Sequence, residues 1–417
     1  MKASHTLMAI LFIVSAATNA QVVPAATGPA GLPVSGTLRY NLRYSQTAEF
    51  GGYQDGQQRI FASGDASYAN LRKRFPFSLQ YGGGYGWVLA GPSAAGNLFQ
   101  HLSLSQGIVG RAWSLTASDN VSYTFETPTT GFSGVPGTGE PVGGSGTTTP
   151  TDQTVVSLNT RTLDQIMKLG FGDRLNHAWS LNVDFSSGQL LYIDNNGQNT
   201  NMLMADPGIT RRLNAHNSVS GQYSFSRYSY GASALTNAAQ LSFSQVNTAQ
   251  FSFKRQWNRQ ISTSASVGPQ WVSSSNSAIE PSSTRFSLNA SVIDAFRVGS
   301  ASLYYSHGTT GGSGYMLGAE SDVLGASFSR AFGKKLTIGA TSSYMRTAGL
   351  VNNGVTNATY GGAQATRRLG RNFNIFANYT AINQSSNLQN SANVLNSLSQ
   401  VIGFGIGYSP RETHLKK

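Results

Sequence analysis

Arg39 and Arg43 stand four residues apart in the stretch LRYNLRYS (38–45), where large apolar residues alternate with polar ones. On an extended chain both guanidinium groups lie on one face, one above the other, where they either form a basic patch that favours anions or are solvated or paired with a carboxylate on a neighbouring strand. In the register implied by similar alternation elsewhere, His101, Asp119, Asp164, Lys168, Asp184, Lys254 and Arg285 also fall on the polar face, separated by runs of Ser, Thr and Asn. Ionisable groups of both signs, thinly spread, suit a wall that touches water and ions better than a reaction centre. His101 has Ser103 and Ser105 near it, but these follow strand spacing and no nucleophile elbow is present. His5 lies in the leader, His177, His216 and His414 lie in turns or the tail, and His307 lies on a strand. No histidine joins a pair of acids at an outer strand end, and no metal-ligand spacing is visible. The expectation is therefore neither an enzyme nor a cofactor protein.

The elements that carry these residues follow from their period. A helix would place Leu38 and Leu42 on one flank and Tyr40 and Tyr44 almost opposite them, so no apolar face would form. A strand puts all four on one side and Arg39, Asn41 and Arg43 on the other. The same alternation returns in Trp179–Phe185, Ala249–Phe253, Ile261–Val267, Phe286–Val292, Leu336–Ala340, Phe373–Tyr379 and Ile402–Tyr408. Trp113–Phe125 belongs to the series with Asp119 breaking it in the middle, and that residue is assigned to the polar set. Segments of about ten residues or more are long enough for tilted strands to cross a bilayer.

Composition and connections point the same way. The chain of 417 residues carries only 11% charged residues, 47 glycines and no cysteine, with a formal net charge of +12. Lys2 followed by LMAILFIVSAA (7–17) and TNA (18–20) has the layout of a secretory signal peptide, with 21–36 as a flexible periplasmic lead. Connections alternate in kind. One set is short and basic (71–76, 110–112, 172–176, 211–217, 255–260, 294–299, 332–336, 367–372) and holds about half of the lysines and arginines. The other set is longer, rich in Gly, Ser, Thr and Asn, and takes in Glu49, Asp55, Glu140, Asp152, Asp194 and Glu280, with 128–150 its largest member. Short turns on one side and long loops on the other predict an all-β, antiparallel, up-and-down transmembrane barrel. It would run from 37 to 408 with about 18 strands (16 as the alternative) and a periplasmic tail over 409–417. A soluble sandwich would need a charged outer surface and a filled core, and this chain has material for neither. Trp113, Trp179, Trp257 and Trp271, with Tyr40, Tyr44, Tyr223 and Tyr344, are expected in interfacial girdles.

The leader, the strands and the final stretch VIGFGIGY (401–408) resemble Gram-negative outer-membrane β-barrels. In that superfamily the last strand alternates and ends on an aromatic residue that the insertion machinery reads. Ile402, Phe404, Ile406 and Tyr408 match, although SPRETHLKK follows the aromatic here. The resemblance implies an outer-membrane location, with lipid, lipopolysaccharide and the barrel-insertion machinery as partners. A weaker likeness, carried by the basic turns, is to barrels associated with exopolysaccharide secretion. Two functions are therefore expected to compete. One is a passive porin-like channel for small hydrophilic solutes, lined by the nine residues named first. The other is a non-conducting structural or secretion-associated barrel with a periplasmic partner. Nucleic acid is not expected as a partner, because no aromatic residues are interleaved with the basic ones on one platform.

Overall fold

The computed structural model describes residues 36–414, except for parts of the connections (52–55, 71–73, 92–96, 127–159, 195–198, 232–242, 277–281, 311–315, 317, 351–353, 389–395, 411–412). The expected leader and lead, loop 128–150, and Asp55, Glu140, Asp152 and Glu280 lie outside the described residues. The first eighteen strands are β1 (Thr37–Gly51), β2 (Gln58–Asn70), β3 (Phe77–Ala90), β4 (Asn97–Val109), β5 (Trp113–Glu126), β6 (Thr160–Asp173), β7 (Trp179–Tyr192), β8 (Thr200–Arg212), β9 (Asn217–Tyr230), β10 (Phe243–Gln256), β11 (Ile261–Ser274), β12 (Ser283–Phe296), β13 (Gly299–Thr310), β14 (Ala319–Phe332), β15 (Leu336–Gly349), β16 (Val355–Leu369), β17 (Phe373–Ser386) and β18 (Leu398–Tyr408). Each pairs antiparallel with its chain neighbours, and β1 pairs with β18 over Leu42–Gly51 and Ser399–Tyr408, which closes the sheet. Beyond Tyr408 the two-residue strand β19 (Thr413–His414) adds to Thr37 and Leu38, so part of the tail extends the seam.

Closure fixes the shape. The register steps accumulate to a stagger of about 22 residues around the wall, which for 18 strands means a tilt of about 40° and a backbone radius of about 18 Å. A fourteen-residue strand such as β7 then rises about 36 Å, enough for an apolar band of about 25 Å and both interfaces.

The alternation sorts residues as expected. Leu42 is 56% exposed, Phe404 58% and Phe251 58%, all on the outside, while their neighbours Asn41, Gly405 and Ser252 face inward. Ile402, Ile406 and Tyr408 share the outer face of β18, and the Tyr408 ring lies 5.2 Å from that of Phe373. Large apolar side chains that face outward along every sheet neighbour could only be stable against hydrocarbon.

The periplasmic turns are built from a repeated local device. Asn176 Oδ1 accepts from the amides of Ala178 and Trp179, Asn214 Oδ1 from His216 and Asn217, and Asn258 Oδ1 from Gln260 and Ile261. Each asparagine carbonyl in turn accepts from the side chain two residues earlier, Arg174, Arg212 or Gln256. An Asx turn thus reverses the chain while a long side chain caps it. In the turns after β14 and β16, Gly333 (φ 65°) and Gly370 (φ 78°) supply the left-handed backbone instead. Other arginines lie over outward aromatic rings at this rim: Arg211 over Trp179 at 5.2 Å, Arg255 over Trp257 at 3.7 Å and Arg330 over Phe332 at 5.1 Å. Much of the basic rim is therefore engaged in turn capping and interfacial anchoring.

Candidate functional site

The inward face of the wall is the only extended surface of the described residues that combines water-facing polarity with charge. Arg39, Arg43, His101, Asp164, Lys168, Asp184, Lys254 and Arg285 occupy its inward positions in the register. Asp119 does not, and its assignment to the lumen is corrected. It pairs with Leu104 and Met167, both outward, and sits on the lipid face of β5. Strict alternation from Trp113 to Val121 demands this, because a strand without a bulge cannot turn one residue inward. Gln165 Nε2 on β6 donates to both Asp119 carboxylate oxygens at 3.2 Å, so the acid keeps a polar partner in the apolar band.

Two charged groups form near mid-strand. On β1 and β2, Asn41 Nδ2 donates to Asp65 Oδ2 at 2.6 Å, and Arg43 Nη2 lies 3.6 Å from Asp65 Oδ1. On β6, β7 and β8, Asp184 and Asp206 are direct cross-strand partners, and Lys168 acts electrostatically on both. Gly170 opposes Asp184 and leaves it room, since a Cβ there would approach Asp184 Oδ1 to 2.7 Å. The nearby Lys168 ammonium offsets the repulsion between these like charges. Arg285 reaches away from the middle of the lumen and forms an ion pair with Glu320.

Asp65 and Asp206 were not singled out in the sequence, because their strands alternate weakly (QRIFASGDASYAN and TNMLMADPGITRR). Counting residues back from the basic turns would have placed both inward. Glu49 is a second correction, since it belongs to β1 and not to a loop. It is 6% exposed, accepts from Ser399 Oγ at 2.9 Å and feels the charge of Arg59, itself 4% exposed, across the seam. The strand runs on to Gly51, whose left-handed φ of 75° ends it.

Aromatic residues on the inward face lie along the wall and do not project across it. An added Cβ at Gly84 would come within 2.6 Å of Phe99, and one at Gly405 within 2.5 Å of Phe376, so each ring covers a glycine on the next strand. Tyr304 covers Gly325 in the same way. The lumen between them is lined by small polar side chains and keeps its width.

The closed wall, its apolar outer band and its polar inner face decide the architecture. The chain is a closed, antiparallel β-barrel of eighteen membrane-spanning strands. No family model and no curated protein matches it. Among solved structures, the FrpB iron transporter of Neisseria meningitidis (F3-3 variant) is 8% identical with a TM-score of 0.43, over 89% of this chain and 81% of that one. OccK5 (OpdH) of Pseudomonas aeruginosa is 10% identical with a TM-score of 0.42, over 92% and 100%. OpdQ of Pseudomonas aeruginosa is 8% identical with a TM-score of 0.43, over 90% and 98%. At these values the likeness is one of overall architecture and carries nothing about transport.

The extracellular end of this barrel differs from its middle. Inward residues there are buried and many are apolar: Phe61, Tyr192, Tyr228, Tyr230, Val272 and Tyr360 are between 2% and 9% exposed. Tyr228, Tyr230, Val246 and Val272 form one cluster, against which Met202 and Leu350 pack. Leu350 follows β15, so this contact ties the mouth above β15 to the wall of β9–β11. Met316 and Ala319 make a second cluster with Leu388. The mouth is thus narrowed by apolar contacts while the periplasmic two thirds stay polar and half-exposed.

Proposed function

We propose that the barrel is a passive channel that lets small hydrophilic solutes cross the outer membrane. The observation that carries this reading is the inward wall at half-height, where the Arg43–Asp65 ion pair lies on one side and Lys168, Asp184 and Asp206 on another, between inward aromatics laid flat against the wall. A purely structural barrel gains nothing from keeping charged groups hydrated in an unfilled interior, whereas a channel uses them to hold water and bias ions. The apolar contacts at the mouth narrow the entrance, so small polar solutes are the expected cargo. Swelling of proteoliposomes in isotonic sugars and amino acids tests the reading. Rapid swelling in small solutes that fades with solute size supports it, and vesicles that swell no faster than protein-free ones contradict it.

The basic periplasmic rim favours a second reading, a non-conducting barrel that docks a secretion component in the periplasm. Capping and ring stacking account for Arg174, Arg211, Arg212, Arg255 and Arg330 without a partner, which weighs toward the channel.

A further inference from the structure

At its extracellular end the wall parts between β12 and β13. Backbone pairing between them stops at Leu288 and His307, although β12 runs on to Ser283 and β13 to Thr310. The strands on either side keep their rungs, β11 with β12 up to Ser283 and β13 with β14 up to Thr310 and Ala319. Side chains take over across the split. The Thr309 amide donates to Gln270 Oε1 at 3.0 Å, and Gln270 Nε2 donates to Thr248 Oγ1 at 3.1 Å. Gln270 belongs to β11, so its side chain passes over the inner face of β12 to reach β13. Arg285 of β12 forms its ion pair with Glu320 of β14, whose other carboxylate oxygen lies 3.3 Å from His307 Nε2.

These contacts place the ends of β13 and β14. In the register Arg285 is on the inward side of β12 and Glu320 on the outward side of β14. The two can meet only where β13 and β14 stand nearer the barrel axis than β12 does. Gln270 and Thr309 are 6% and 9% exposed, so their bond is shielded from competing water. The same ends reach the narrowed mouth. Gly318 O accepts from the Leu350 amide at 3.1 Å, and an added Cβ at Gly318 would approach Leu350 Cδ1 to 2.9 Å. Leu350, at the top of β15, packs on the cluster that includes Val272 of β11. On a wall of about 18 Å radius, β11 and β15 stand about 23 Å apart, so this contact crosses part of the lumen.

We propose that the upper ends of β13 and β14 (308–310 and 319–321) are the selecting edge of the mouth, with Gln270 and Arg285 as the residues that position them. Without those two side chains the ends follow the curve of the wall and draw Gly318 away from Leu350, which widens the entrance. This inference rests on the channel reading and adds to it the element that decides which polar solutes enter.

The test uses the full-length barrel and the variant Gln270→Ala/Arg285→Met, with folding verified by heat-modifiable migration. Amide exchange followed by mass spectrometry should quicken by about tenfold or more over 307–310 and 319–322 and stay unchanged in β2–β8. In planar bilayers the same variant should give larger open steps than wild type, and in vesicles it should admit solutes that wild type excludes. A disulfide supplies the reverse. The chain has no cysteine, and an added Cβ at Gly308 lies 3.8 Å from Ser287 Cβ, within the span of such a bridge. Ser287→Cys/Gly308→Cys, placed in the double variant, should restore wild-type exchange and step size when oxidised and lose both when reduced. Should the double variant fail to fold, Gln270→Ala and Arg285→Met made singly carry the same predictions. Wild-type exchange in these variants, or faster exchange with unchanged open steps, overturns the proposal while leaving the channel reading intact. Silence of every form, wild type included, refutes the channel reading and takes the proposal with it.

Discussion

Phe251 and Ser252 are neighbours on β10 with opposite surroundings, and exchanging each for lysine tests the orientation of the whole wall. Phe251 pairs with Gly221 and Val267 on the outer face, and Ser252 with Ser220 and Ser266 on the inner one. At a tilt of about 40° each residue climbs about 2.6 Å, so Phe251, five residues from Gln256, stands about 13 Å above the periplasmic end of the strand. That is close to the centre of an apolar band of about 25 Å, where a lysine on the lipid face costs about 2–4 kcal/mol. Losing the phenyl contact with lipid adds about 2 kcal/mol, for a total near 5 kcal/mol. Ser252→Lys places its ammonium in water and should cost less than about 0.5 kcal/mol. Urea unfolding of the barrel in lipid vesicles measures both. With a slope of about 3 kcal/mol per molar urea, Phe251→Lys should lower the midpoint by about 1.7 M, while Ser252→Lys leaves it in place. Equal shifts, or a larger one for Ser252→Lys, would refute the register.

Three further outcomes follow from individual contacts. Glu49→Ala takes the carboxylate from Ser399 and Arg59 in the buried seam and should destabilise the barrel by about 3 kcal/mol, with Glu49→Ala/Arg59→Met recovering part of that loss in the same unfolding assay. Asp119→Val removes an acid from the lipid face and should stabilise the protein by about 1 kcal/mol, and a lower urea midpoint would speak against its outward placement. Asp194, in the extracellular connection after β7, is held below the usual carboxylate range by the hydrogen bonds from Arg161. Its folded value lies below its unfolded one, so the stabilisation is complete above about pH 3.9 and disappears as pH falls through the lower folded value. Wild type should therefore lose more stability than Asp194→Asn between pH 5 and the acid limit, as measured by thermal unfolding.

Most of the wall was legible in the sequence because strands that separate lipid from water must alternate, and LRYNLRYS or FNIFANY can satisfy both sides in only one register. The basic turns were equally clear, since Arg-Leu-Asn and Gln-Trp-Asn repeat the side chains that the Asx turns use. Legibility failed where alternation is weak. In β2 and β8, alanines and glycines face both ways, which hid Asp65 and Asp206, the partners that give Arg43 and Lys168 their local setting. Asp119 was misplaced because a charged residue was assumed to seek water, whereas the strand period overrides that preference and Gln165 softens the cost. The narrowed mouth depends on Leu350 meeting Tyr228 and Val246 from strands far apart in sequence, a contact that no local pattern encodes.

Whether the lumen conducts is best tested by single-channel recording of the purified barrel in a planar bilayer with a salt gradient. The account predicts discrete, stable open steps, and a reversal potential that moves toward cation preference in Arg39→Glu/Arg43→Glu. A barrel inserted with the correct unfolding behaviour that gives no steps in either form would contradict it.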